Sequence, residues 1–190
     1  MVKAAILHEG SAKDTADKKL ITSLLKHLNL DESVIFFDAL KSKDNFFKTD
    51  SFNYQRLKEL VEQDQIKKVL FVIDADNEND DAKYKGFDNT KRELINVITT
   101  LGFEDIADFY ILCDPIKKTG YLESFILSAV SPERRQCIER FLECSQFKIK
   151  DDDKSFYKGI YSNIAFPNPD YNFAHSNFDL LKEKLTNLFN

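Results

Sequence analysis

The sequence predicts a doubly wound α/β domain, and three observations carry the prediction. Short, continuous apolar runs alternate with segments whose apolar residues recur at helical spacing. The runs lack the in–out alternation of a half-exposed sheet, so they read as parallel strands covered on both faces. With 190 residues, 43% of them hydrophobic, the chain is large enough to bury such a core. Right-handed crossovers then place helices on both sides of the sheet.

Each element follows from its own residues. Val2 to Leu7 reads as the first strand and His8-Glu9-Gly10 as the turn after it. From about Thr15, Leu20, Ile21, Leu24, Leu25 and Leu28 form a helical stripe. Val34 to Phe37 is a second strand. Asp50 or Ser51 can cap a helix carrying Leu57, Leu60 and Val61. Val69 to Ile73 is the strongest strand and runs directly into Asp74-Ala75-Asp76. Leu94, Ile98 and Leu101 mark a further helix, with Gly102 as its C′ residue, and Phe109 to Leu112 is the fourth strand.

After Asp114-Pro115 the pattern becomes helical, at about 121–130 and 132–144. The charge run Lys150 to Lys154 and an irregular stretch around Pro167 and Pro169 follow. A last helix sets Phe178, Leu181, Leu185 and Leu188 on one stripe. No linker or internal repeat divides the chain. The expected organisation is one domain over 1–190, with a core at about 1–130 and a helical C-terminal extension at about 131–190.

Composition removes several function classes. A net charge of −5 argues against a general polyanion binder, since nucleic acid is held mainly by Lys and Arg. No stretch approaches the roughly 20 apolar residues that span a bilayer, and the N-terminal run is too short for a signal peptide. Cys113, Cys137 and Cys144 are odd in number and show no C-x-x-C spacing, which points to free thiols in a reducing cytoplasm. The 17 phenylalanines and the absence of tryptophan indicate a Phe-rich interior.

Functional groups in open parallel sheets collect beyond the carboxyl ends of the strands. Glu9 follows the first strand, and Asp74 and Asp76 follow the third. If those strands are neighbours, the carboxylates converge and repel, and a hard cation such as Mg²⁺ or Mn²⁺ relieves the cost. The same Asp-x-Asp also reads as a solvated strand end. An EF-hand reading of 74–85 fails because Asn79 and Lys85 stand where the loop needs Gly and Glu. His8 could orient Glu9 or move a proton, although a strand-end histidine is more often structural. His27 and His175 lack metal-like spacing. Lys117, Lys118, Arg134 and Arg135 could hold phosphate near the sheet edge, or be solvated surface. Nucleophile-elbow, Walker and Rossmann glycine motifs are absent.

A strand ending in Glu-Gly, a βα unit and an apolar strand ending in Asp-x-Asp together resemble a Toprim domain. The segments that carry the resemblance are Ala5-Ile6-Leu7-His8-Glu9-Gly10 and Phe71-Val72-Ile73-Asp74-Ala75-Asp76. Gly120-Tyr121-Leu122-Glu123 resembles the Gly-x-Leu-Glu element of a stand-alone Toprim-like family related to overcoming-lysogenisation-defect nucleases, and the tail resembles that family's last helix. The resemblance implies a Toprim-like, mainly parallel four-stranded sheet. It implies Glu9 as acid/base or metal ligand, Asp74 and Asp76 as the Mg²⁺ or Mn²⁺ pair, and Glu123 as a further ligand. Relatives often carry an Asp in E-G-x-x-D; here Asp14 and Asp17 compete for that place.

Three functions follow as expectations. The first is a small Mg²⁺-dependent nuclease acting on nucleic-acid phosphodiesters, with Glu9 managing a proton. The second is a non-catalytic Toprim-like module that binds metal, a protein partner or a second copy of itself. The third, a nucleotide-sugar transferase, leaves Glu9-Gly10 unexplained. Substrate and oligomeric state are not legible.

Overall fold

The computed structural model describes residues 3–10, 15–77, 84–145 and 171–190. The charge run at 150–154, Pro167, Pro169, Asp14 and most of the acidic stretch after Asp76 lie outside the described residues. Strands β1 (Ala4–His8), β2 (Ile35–Ala39), β3 (Lys68–Asp74) and β4 (Ala107–Leu112) form one sheet in the order β2-β1-β3-β4. Every pairing is parallel. This is the α/β architecture expected from the sequence, and it is compatible with a Toprim-like fold.

Helices α1 (Ala16–His27), α2 (Lys43–Phe46), α3 (Phe52–Glu62), α4 (Phe87–Leu101), α5 (Leu122–Ser128), α6 (Pro132–Ser145) and α7 (Asp179–Asn187) accompany the sheet. Strand residues divide between two cores by parity, as a pleat requires. Ile6, Leu70, Val72, Tyr110 and Leu112 join Leu20 and Leu24 of α1, Phe125 of α5, and Phe178, Leu181 and Leu185 around α7. Leu7, Val69, Phe71, Ile73 and Ile111 join Phe46, Tyr54, Leu57 and Leu94 on the other face. Within the first core Phe178 meets Phe125 edge-on, with ring centroids 4.7 Å apart. The C-terminal helix therefore completes one face of the sheet.

Local chemistry sets the boundaries. Thr15 caps α1, its hydroxyl accepting from the Lys18 amide at 3.3 Å. Gly102 ends α4 in the left-handed region at φ 73°, the expected C′ role. Ser51 holds the N-cap position of α3 without a side-chain cap bond, so that helix rests on burial of Tyr54 and Leu57. The second strand starts one residue later than its apolar run, because Val34 closes a short 3₁₀ turn capped by Asp31.

Candidate functional site

The order β2-β1-β3-β4 reverses direction between β1 and β3, and at such a switch point the loops leaving the carboxyl ends of an open parallel sheet diverge, which is where a crevice forms. The ladder between them ends at His8 and Val72, and β3 continues two residues further to Asp74. The condition on which the carboxylates could converge is thus met: Glu9 and Asp74-x-Asp76 leave neighbouring strands at the switch point. Gly10 is there for close approach, since a Cβ would stand 2.3 Å from the Thr15 methyl. Its carbonyl accepts from the Lys41 amide at 3.1 Å, which holds the exit of β2 against the crevice.

Asp74 is buried and directed at α5. Its Oδ1 accepts from the Leu122 amide at 2.9 Å, which satisfies one of the orphan donors at that helix start. Glu123, also buried, is the next residue, so the Gly-x-Leu-Glu element reaches the end of β3 through this bond. Asp76 adopts the left-handed region at φ 62° and pairs antiparallel with Gly120, exchanging bonds of 2.8 and 3.2 Å. Gly120 has φ 96°, and a Cβ there would meet the Ser124 hydroxyl at 2.3 Å. Only glycine fits that turn.

The crevice also receives a cation that periodicity does not reveal. Lys43, in α2, is only 8% exposed. Its ammonium donates to the Asp74 carbonyl at 2.8 Å, the Ala75 carbonyl at 2.7 Å and Asp76 Oδ2 at 3.1 Å. An ammonium has three N–H donors, and all three are used. Burial pushes the Lys43 pKa below the usual lysine value, and the charges of Asp76, then Glu9, then Asp74 oppose that shift. Lys43 thus ties the end of β3 to α2 and places positive charge among three of the four expected ligands.

The donor set does not fit a divalent ion as it stands. Among the described residues no three His, Cys, Asp or Glu side chains are grouped as metal ligation requires. A cation entering beside Asp76 would also meet the Lys43 ammonium, and like charges at such range repel strongly away from water.

Several of the remaining sequence candidates have structural partners. His8 is fully buried on the α1 side, with Nδ1 3.4 Å from the Thr15 hydroxyl. Burial, helped by the charge of Lys18, lowers its pKa to about 4, so it is neutral near pH 7. Lys118 lies over the Phe87 ring at 4.8 Å. Arg135 meets Asp114 at 3.7 Å and Glu139 at 3.2 Å. Asp114, not singled out from sequence, accepts from the Ile116 and Lys117 amides and so shapes the turn between β4 and α5. His27 packs against Phe173, and His175 accepts from the Asn177 amide.

Lys43 could have been found from one signal. Ser42 is an N-cap residue before Lys43-Asp44-Asn45, and its hydroxyl accepts from the Asn45 amide at 3.4 Å. A four-residue helix is too short to show a period. No helix among the described residues is long and apolar enough to cross a membrane. No family model, no curated protein and no solved structure matches this chain.

Proposed function

We propose that this chain is a non-catalytic Toprim-like binding module whose switch-point carboxylates are neutralised from within by Lys43. The observation that carries the reading is the saturation of the Lys43 ammonium by the Asp74 and Ala75 carbonyls and the Asp76 carboxylate. A lysine so held supplies the positive charge that a divalent cation would otherwise bring, and it does so without an open coordination position. The net charge of −5 agrees with a protein partner better than with a polyanion.

A second reading keeps one specific observation in its favour. Glu9, Asp74 and Asp76 do leave adjacent parallel strands at the switch point, the arrangement that the Toprim resemblance implies for a Mg²⁺- or Mn²⁺-dependent nuclease. In that reading Asp74, Asp76 and Glu123 hold the ion, Glu9 is ligand or acid/base, and Lys43 must leave.

One experiment separates the two. Mn²⁺ is titrated calorimetrically into the wild type and the Asp74→Ala/Asp76→Ala variant, and both are incubated with single-stranded and duplex DNA and RNA. The binding-module reading expects neither stoichiometric Mn²⁺ binding nor cleavage. Stoichiometric binding and Mn²⁺-dependent cleavage in the wild type, both lost in the variant, would replace it with the nuclease reading.

A further inference from the structure

The outer edge of β4 points to a partner. β4 pairs with β3 on one side, and among the described residues no strand covers its other side. The Ile106 carbonyl accepts from the Val69 amide and the Leu112 carbonyl from the Ala75 amide. Even-numbered residues of β4 therefore bond inward. By the alternation of a parallel ladder, Phe109, Ile111 and Cys113 turn their backbone groups outward. One outward donor, the Phe109 amide, is met at 2.8 Å by the neighbouring Asp108 carboxylate. Asp108 is held in turn by Lys184 at 2.6 Å. A short-range carboxylate thus stands where the carbonyl of an added strand would stand. Guarding an edge with charge is a common way to keep it from pairing indiscriminately.

Beyond that edge lies a groove of about 390 Å³ between α4 and α7, with Phe109, Ile111 and Cys113 along its floor. Phe87 and Leu180 form apolar walls, and Leu180 is 53% exposed. Its rim is basic: Lys91 comes from α4, Lys118 from the turn after β4 and Lys184 from α7. The Lys118 and Lys184 ammonium groups lie over the Phe87 and Phe109 rings, 4.8 and 5.9 Å from their centroids, which holds both charges at the groove lining. Among the described residues neither Lys91 nor Lys118 has a carboxylate within ion-pair distance. With Lys184 paired to Asp108, Lys91 and Lys118 carry the uncompensated charge of the groove, and in a chain of net charge −5 they form a local field that selects an anionic occupant.

We propose that this groove binds an extended acidic peptide segment of a partner protein, which adds to β4 as a fifth strand. Main-chain bonds to the outward groups of Phe109, Ile111 and Cys113 supply pairing. Alternate side chains fall to opposite faces, so apolar residues of one set meet Leu180 on the α7 side while Asp or Glu residues of the other meet Lys91 and Lys118 on the α4 side. The incoming carbonyl displaces the Asp108 carboxylate from the Phe109 amide. This names the partner class for the binding-module reading and rests on it only in that respect. The groove does not use Lys43, so the peptide test and the Mn²⁺ titration can fail separately.

The test uses the full chain and a fluorescein-labelled octapeptide of alternating Glu and Val. Its controls are a Lys–Val octapeptide and a Glu–Val octapeptide N-methylated at every residue, which leaves neither edge of the peptide a donor. Fluorescence polarisation is expected to show saturable binding of the Glu–Val peptide alone. Lys91→Glu/Lys118→Glu should weaken it by about tenfold or more, and amide exchange should slow at Phe109, Ile111 and Cys113. Equal binding of the N-methylated peptide would reduce the interaction to charge attraction and overturn strand addition. Absence of binding, or full binding by the lysine variant, would overturn the proposal. So would a peptide-free dimer in sedimentation with β4 already protected, which would assign the edge to a second copy of the chain.

Discussion

At the scale of single residues, two buried bases decide how the molecule responds to ions and to pH. Lys43 holds two carbonyls and a carboxylate at the end of β3. Lys43→Met keeps the apolar stem and removes the charge, so those acceptors lose their donor while Asp74, Asp76 and Glu9 lose a compensating cation. Removing one partner of a buried ionic contact costs about 3–5 kcal/mol. The variant should melt well below the wild type, and MnCl₂ should restore part of the loss while leaving the wild type unmoved. Thermal melts with and without the salt read both effects. Mn²⁺ that raises the wild-type midpoint and loses that effect in Lys43→Met would make the lysine a helper of metal binding instead. His8 acts in the opposite direction. Its folded pKa, about 4, lies below the ordinary 6.5, so the unfolded chain binds the extra proton first as pH falls. Stability attributable to His8 is intact above about pH 6.5 and is lost on descending to about 4. The loss totals about 3 kcal/mol. Denaturant midpoints at pH 7 and 4.5 should differ less in His8→Gln than in the wild type.

At the scale of elements, what was legible depended on length and period. The four strands are continuous apolar runs, and each appears within one or two residues of its run. Helices α1, α4 and α7 show their stripes plainly, because Leu20, Leu94 and Leu181 all face a core. The carboxylates at the ends of β1 and β3 were legible for the same reason: a strand end fixes where the next side chain emerges. α2 was not legible, and with it the residue that changes the chemistry of the crevice. Its four residues give a cap but no stripe, and a lysine in such a segment reads as surface until the fold shows what covers it. The antiparallel bridge between Asp76 and Gly120 was equally hidden, since it joins loops 44 positions apart through backbone atoms alone. Sequence therefore identified the acids, while their partners came from tertiary contact.

At the scale of the whole molecule, one sheet serves two cores, and that sharing couples the C-terminal helix to residues packed on the opposite face. Phe178 lies in the α1, α5 and α7 core, whereas Cys113 lies in the core on the opposite face. The sheet runs between them. If the two faces unfold together, a cavity made under α7 must raise the exposure of Cys113. Phe178 is fully buried, so Phe178→Ala should cost about 3–5 kcal/mol. Every 1.4 kcal/mol is tenfold in an opening equilibrium. In the native chain Cys137 and Cys144 are exposed and should react at once with a thiol reagent. Cys113 is buried, with its pKa pushed up to about 11 by desolvation, and should react only through opening. The slow third thiol should therefore speed up by roughly two orders of magnitude or more in Phe178→Ala. An unchanged Cys113 rate beside a lowered melting midpoint would mean that α7 detaches alone, leaving the sheet and its second face folded. Coincident changes would make the helix a structural member of the same cooperative unit as the switch-point crevice.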